Sequence, residues 1–360
     1  MAREHEHRRG LYFMIFLLLY GFLFSIAISV ILYSLEWYIL HDTDIGLREI
    51  VSSPWFIIFT QVAGFLVPLG IWLHLSAEKI NQHLPPMRLG KRNIILIVGI
   101  SIMLMPAANV VSGITMLFFP NQISGFVMVL LENQPLFLVL LALAVTPAIC
   151  EEVVFRGYIQ STYRYKPFIT MVLANGLFFA VIHQSPQQFF YTFIMGIIFA
   201  YMVHATQSIR AGVISHFVMN ATSILFVWFS LRMAEVAERL QEHAESLTAE
   251  LATEYIYTAP AEISEQMQIL IAIALWGVIA IFTTTAAVFL FRDFSRHNKK
   301  RVAKYEAKLA AELPEIEKII EESLPDPEPP PSPEQNRKNL LTDTALVLVI
   351  VALYVIFVLV

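Results

Sequence analysis

The sequence predicts an all-α fold, a polytopic membrane helix bundle of about eight or nine transmembrane helices. Two observations carry that reading. Hydrophobic residues make up 57% of the chain and charged residues 15%, whereas a soluble domain is roughly a quarter charged. Apolar runs also recur at about the 17–25 residues that a helix needs to cross a ~30 Å hydrocarbon core. In that medium a helix satisfies its own backbone polar groups, which an open strand cannot do.

The elements follow in order. The first apolar segment, Leu11–Leu35, begins after Arg8 and Arg9 and is too long for a cleaved signal, so it is expected to remain as an anchor. Further segments are expected at Trp55–Leu75, Ile94–Phe119, Leu136–Cys150 with its continuation, Phe168–His183, Phe189–His204, Ala211–Leu231 and Ile269–Phe291. A ninth, Ala345–Val360, is apolar but short. Basic residues then set the orientation. Arg3, Arg8 and Arg9, then Lys79, Arg88, Lys91 and Arg92, then Arg164 and Lys166, Arg210, and the run Arg292, Arg296, Lys299, Lys300 and Arg301 all fall on one side. By the positive-inside rule that side is cytoplasmic, with the amino terminus, in a protein of the plasma membrane.

This divides the chain into transmembrane helices over 1–134, a core over 135–230, an acidic extracytoplasmic helical insert over 231–268 and a transmembrane helix over 269–291. A charged and Pro-rich cytoplasmic linker over 292–342, stiffened by Pro325 to Pro333, leads to the terminal segment over 343–360. The composition excludes other classes. There is no internal repeat, no Gly-rich phosphate loop and no basic-aromatic pattern for nucleic acid. The single cysteine, Cys150, rules out an internal disulfide and is read as a small packing residue. His5 and His7 are read as solvated tail.

Within the core, Glu151 and Glu152 stand in an apolar stretch of helix length, followed by Arg156. A charged side chain at mid-bilayer costs about 2.5–3.5 kcal/mol on insertion scales, so such groups face a protein cavity and serve a function. Glu152 and Arg156 are i,i+4 neighbours and can pair, while Glu151 is rotated by about 100° and is left free to meet a water. At helical rise, Glu151 lies about 18 Å and His183 about 24 Å from the cytoplasmic ends of their helices. His216 and Asn220 lie about 10 and 16 Å along a third. Gly212, His216, Asn220 and Ser223 form a stripe that should face the bundle interior. Each histidine taken singly is an ordinary interhelical hydrogen-bonding group. Glu151, Glu152, Arg156, His183, His216 and Asn220 at one depth together point to a site.

These residues resemble a known family. Glu151-Glu152-Val153-Val154-Phe155-Arg156 fits the EExxxR motif of the CPBP intramembrane proteases, also called the Abi or type II CAAX prenyl endopeptidase-like family. Phe179 to His183 fits its FxxxH motif and His216 to Asn220 its HxxxN motif. The resemblance spans roughly Pro135 to Trp228. It implies an all-helical bundle whose cavity opens to the cytoplasm and hydrolyses a peptide bond of a membrane-associated protein or peptide, lipid-modified or not. Glu151 and His183 would activate the water, and His216 and Asn220 would stabilise the oxyanion. Glu151, His183 and His216 suit zinc as a ligand set, although there is no HExxH and a metal-free glutamate mechanism fits the same residues. Two readings from other classes stay open. A transporter would place the same ionisable groups at the midplane and would move solute without cleaving peptide. A non-catalytic scaffold would work through the proline segment, which lacks a PxxP-plus-basic pattern.

Overall fold

The computed structural model describes residues 6–37, 47–251, 264–321 and 333–359. Over these residues the chain is helical, with no strand and one isolated antiparallel bridge between Pro86 and Ser208. We number the main helices α1 (Glu6–Leu35), α2 (Pro54–Leu75), α3 (Lys91–Met116), α4 (Gln122–Asn133), α5 (Leu136–Thr162), α6 (Phe168–Ile182), α7 (Pro186–Thr206), α8 (Ile209–Leu251), α9 (Glu265–Glu321) and α10 (Pro333–Leu359). Seven of them are long and apolar enough to cross a membrane, while Ile123–Asn133, Phe168–Ile182 and Leu340–Val355 are shorter apolar stretches. Large side chains such as Leu275, Ile281 and Phe282 are exposed on α9. An apolar outer surface of this kind faces lipid, and the chain is an integral membrane protein.

The helix carrying the two glutamates is wound unevenly. In α5, Leu141–Val145 and Val153–Ile159 form π-helical turns on either side of the α-helical stretch Thr146–Glu152. Wide turns of this type are frequent at functional sites. The helix ends at Thr162. Across it, α6 and α7 cross with backbone in contact: a Cβ on Gly196 would lie 2.7 Å from the Gly176 Cα. Only glycine permits so close an approach.

Polar pairs tie the helices together at one end of the bundle. Glu6 pairs with Arg164 and Arg9 with Glu78. His7 Nε2 and Arg8 Nε both reach Asp343, at 2.8 and 2.6 Å. His83 Nδ1 donates to Ser161 Oγ at 2.6 Å, and Ser161 in turn donates to the Tyr158 carbonyl. Burial holds the His83 imidazole below its usual range, against the opposing effect of Glu78. On the other flank Asn93 and Asn298 exchange two buried amide hydrogen bonds of 2.8 and 3.0 Å, and Arg92 pairs with Asp293 at 2.7 Å. These contacts gather at one end the loops that charge bias assigns to a common side.

Several sequence expectations need correction. His7 is not solvated tail: α1 already runs through it, and its ring is buried against Asp343, ten residues into α10. His5 lies outside the described residues. Ser223 leaves the interior stripe and is exposed, bonding back to the Met219 carbonyl at 3.1 Å. At that level α8 buries Ala221 and Ile224 instead, packed with Leu130, Leu131 and Ala144. Helix α4 has no counterpart in the sequence reading. Its start is capped by Asn121, whose Oδ1 accepts from the Ile123 and Ser124 amides. The acidic stretch after Glu235 continues α8 without a break to Leu251, and residues 252–263 lie outside the description. Most of the Pro-rich segment, 322–332, does so as well.

The arrangement places Glu242 on α8 and Lys300 on α9 at opposite ends of the bundle. In a Cys150→Ser background, single cysteines at these positions should react with an impermeant thiol reagent from opposite faces of sealed vesicles. Reaction of both from one face would contradict the helix count between them.

Candidate active site

The six residues singled out by the sequence come from three helices, and four of them form one connected buried cluster. Arg156 Nη1 donates to Glu152 Oε1 at 2.8 Å, with both side chains fully inaccessible. The same carboxylate oxygen accepts from His216 Nδ1 at 3.1 Å. Because Glu152 Oε1 is an acceptor shared with arginine, the hydrogen in that contact belongs to Nδ1. His216 therefore presents Nε2 on its far side. That atom lies 4.0 Å from Glu151 Oε2.

This separation exceeds a hydrogen bond and suits a bridging water. Two bonds of about 2.8 Å meeting at roughly a right angle span about 4 Å. Glu151 Oε2 is deeply buried and accepts no hydrogen bond from the protein. Glu151 sits near the middle of α5, about 17 Å from its Thr162 end at helical rise.

Arg156 is held as tightly as its partner. Its Nη2 donates to the Gly196 carbonyl at 3.2 Å, a group brought within reach by the Gly176–Gly196 crossing. The guanidinium carbon lies 4.4 Å from the Phe179 ring centre and 5.2 Å from that of Phe199. Aromatic faces attract a desolvated cation, and here they also exclude water from it. The same two rings flank His216: Phe199 stacks on it at 5.3 Å and Phe179 meets it edge-on at 5.6 Å. On the other side of Glu152, a Cβ on Gly212 would lie 2.2 Å from Oε2. The α8 backbone thus lies directly against the carboxylate.

His183 and Asn220 stand at the edge of this cluster. His183 caps α6, at the end expected for the segment Phe168–His183, and the next residue, Gln184, has a positive φ of 49°. Its Nδ1 donates to the Phe179 carbonyl at 2.6 Å, so Nε2 carries the lone pair of the neutral ring. One ring, Phe179, separates it from His216 and Arg156: the His183 and Phe179 centroids are 4.9 Å apart. Asn220, one turn beyond His216 on α8, donates through Nδ2 to the Leu143 carbonyl at 3.1 Å. Its second N–H remains available.

Zinc would require the donors of Glu151, His183 and His216 to converge on one point. Among the described residues no three His, Cys, Asp or Glu side chains are grouped in that way. As arranged, the site offers a carboxylate and imidazole nitrogens suited to holding and deprotonating a water. Residues without an assigned role in the sequence reading prove to be central. Phe179 was visible only as a motif letter and Gly212 only as part of a stripe, and Phe199 and Gly196 carried no local signal at all.

Residues 133–222 match the family model described as Type II CAAX prenyl endopeptidase Rce1-like. All six candidate residues fall inside that window, and the resemblance read from the three motifs is upheld there. The family so described is one of proteases, and proteolysis is the chemistry that the match implies. No curated protein and no solved structure matches the chain.

Removing one partner of a buried ion pair strands the other charge, at a cost of about 3–5 kcal/mol. Arg156→Ala should therefore lower unfolding stability in detergent by about that amount, and Glu151→Gln, which keeps the side chain's shape and breaks no direct hydrogen bond at Oε2, should stay within about 0.5 kcal/mol of the parent. Equal stability of Arg156→Ala and the parent protein would contradict the buried pair.

Proposed function

We propose that the chain is an intramembrane endopeptidase that hydrolyses a peptide bond of a membrane-associated protein or peptide, with Glu151 as the general base. The observation that carries this reading is the buried chain from Arg156 through Glu152 to His216 and on to Glu151, within the window that matches a protease family. Arg156 neutralises Glu152 locally, and the Glu152 Oε2 atom, also without a partner, is closed against the Gly212 backbone, whereas Glu151 has no arginine of its own and turns its unpartnered Oε2 toward His216 Nε2. A water held between Glu151 Oε2 and a histidine Nε2 gives up its proton to Glu151, and its oxygen attacks the substrate carbonyl carbon. His183 accepts the water's other hydrogen at Nε2 and so orients it.

Attack converts the carbonyl oxygen into an oxyanion. The free N–H of Asn220 and, in its protonated state, the Nε2–H of His216 are the donors for that charge. When the C–N bond breaks, the proton on Glu151 passes to the leaving amine and the base is regenerated. No step in this sequence runs through a metal. A substrate anchored by a membrane helix or a covalent lipid reaches the depth of Glu151. In our reading it enters from the cytoplasmic side of the plasma membrane, the side that charge bias gives to the amino terminus.

Purified protein in liposomes should cleave a membrane-tethered peptide. Glu151→Gln, which keeps shape but loses proton affinity, should reduce cleavage at least ~10²-fold, and His183→Ala should do likewise. Undiminished cleavage by Glu151→Gln would remove the base. Solute uptake without cleavage would replace the enzyme with a carrier.

Metal dependence is decided separately. Protein stripped with a chelator and shown to be zinc-free by elemental analysis should retain its cleavage rate. One equivalent of zinc whose removal abolishes activity reversibly would instead assign Glu151, His183 and His216 as ligands.

A further inference from the structure

Pro147 lies one helical turn before Glu151, and its ring nitrogen carries no hydrogen. In a regular α-helix that nitrogen would donate to the Leu143 carbonyl, four residues earlier. The backbone before the proline is wound wider. Thr146 closes a π-helical turn by directing both its N–H and its Oγ1 to the Leu141 carbonyl, the latter at 2.8 Å. Leu143 takes its donor from another helix: Asn220 Nδ2 on α8, at 3.1 Å. Ala142 and Ala144, both fully buried, keep this stretch of α5 slim enough for α8 to approach.

The bond constrains Asn220 more than ordinary packing would. A carbonyl accepts and cannot donate, so it selects Nδ2 over Oδ1 and removes the flip ambiguity of an amide. With one N–H fixed, the planar group has its second N–H fixed in direction too.

We infer that Pro147 is a positioning residue of the site: by withholding the intrahelical donor from Leu143 it frees that carbonyl to orient the Asn220 amide. One proline thereby couples the helix of the base to the helix of an oxyanion donor. The inference rests on the endopeptidase reading for its catalytic consequence, while the bond itself can be tested without activity.

The experiment is a double-mutant cycle on the full chain in liposomes, using Pro147→Ala, Asn220→Ala and the double variant. Pro147→Ala should lower kcat for a membrane-tethered peptide by about tenfold, with KM unchanged and no fall in melting temperature. Pro147→Gly, which restores the same N–H, should behave in the same way. In the Asn220→Ala background Pro147→Ala should cause no further loss. Full kcat in both proline variants, or a double variant that loses the product of the two single effects, would overturn the inference. Melting temperatures give an independent cycle: Asn220→Ala should lower the parent's value by more than it lowers that of Pro147→Ala. Equal decrements would show that the proline does not create the bond. Solute uptake without any peptide cleavage by the parent protein would defeat the endopeptidase reading and leave this thermal cycle standing.

Discussion

The ion pair between Arg156 and Glu152, extended by the hydrogen bond from His216, is the constraint around which the helices are arranged. A carboxylate and a guanidinium removed from water each carry a desolvation cost of several kcal/mol, which is offset only where geometry and additional hydrogen bonds are good. Here one Glu152 oxygen accepts from both Arg156 and His216. The remaining guanidinium face is covered by Phe179 and Phe199, and Nη2 finds the Gly196 carbonyl. The pair thus bonds α5 to α7 and α8 at once. His216 is oriented as a result, and its Nε2 is directed at Glu151.

Close backbone approach makes this network possible. Gly212 brings α8 against Glu152, and the Gly176–Gly196 crossing brings the Gly196 carbonyl to Arg156. In lipid there is little hydrophobic drive between helices, so small residues and interhelical hydrogen bonds carry association. The same logic applies at the periphery, where the Asn93–Asn298 amide pair joins α3 to α9. Proline acts in the complementary sense. It removes a donor within α5 and leaves a carbonyl to be satisfied from outside the helix, which converts a local defect into a tertiary bond.

The all-helical membrane architecture was legible because it depends on composition and run length, which are local. So was the Glu152–Arg156 pair, since i,i+4 spacing on one helix fixes which side chains can meet. Three motifs on three helices also revealed the set of candidate residues. What depended on tertiary placement was not legible. His7 reads as tail until its partner Asp343, far along the chain, is brought beside it. Ser223 keeps the spacing of the stripe, yet α8 turns a different face to α4 at its level. His183 reads as the last residue of its segment and does cap α6, although the positive φ at Gln184 that ends the helix has no glycine to announce it. Asn220 reads as an interior polar residue, but its bond to the Leu143 carbonyl, four residues before Pro147, has no sign in the sequence.

His216 donates from Nδ1 to Glu152 and so presents Nε2 to Glu151. Nitrogen-15 NMR of histidine-labelled protein, with His216 assigned by substitution, measures this directly. The expected result is a protonated, hydrogen-bonded Nδ1 on His216 whose signal shifts when Glu152 is changed to Gln. A His216 ring with an unprotonated Nδ1 in the parent protein would contradict it.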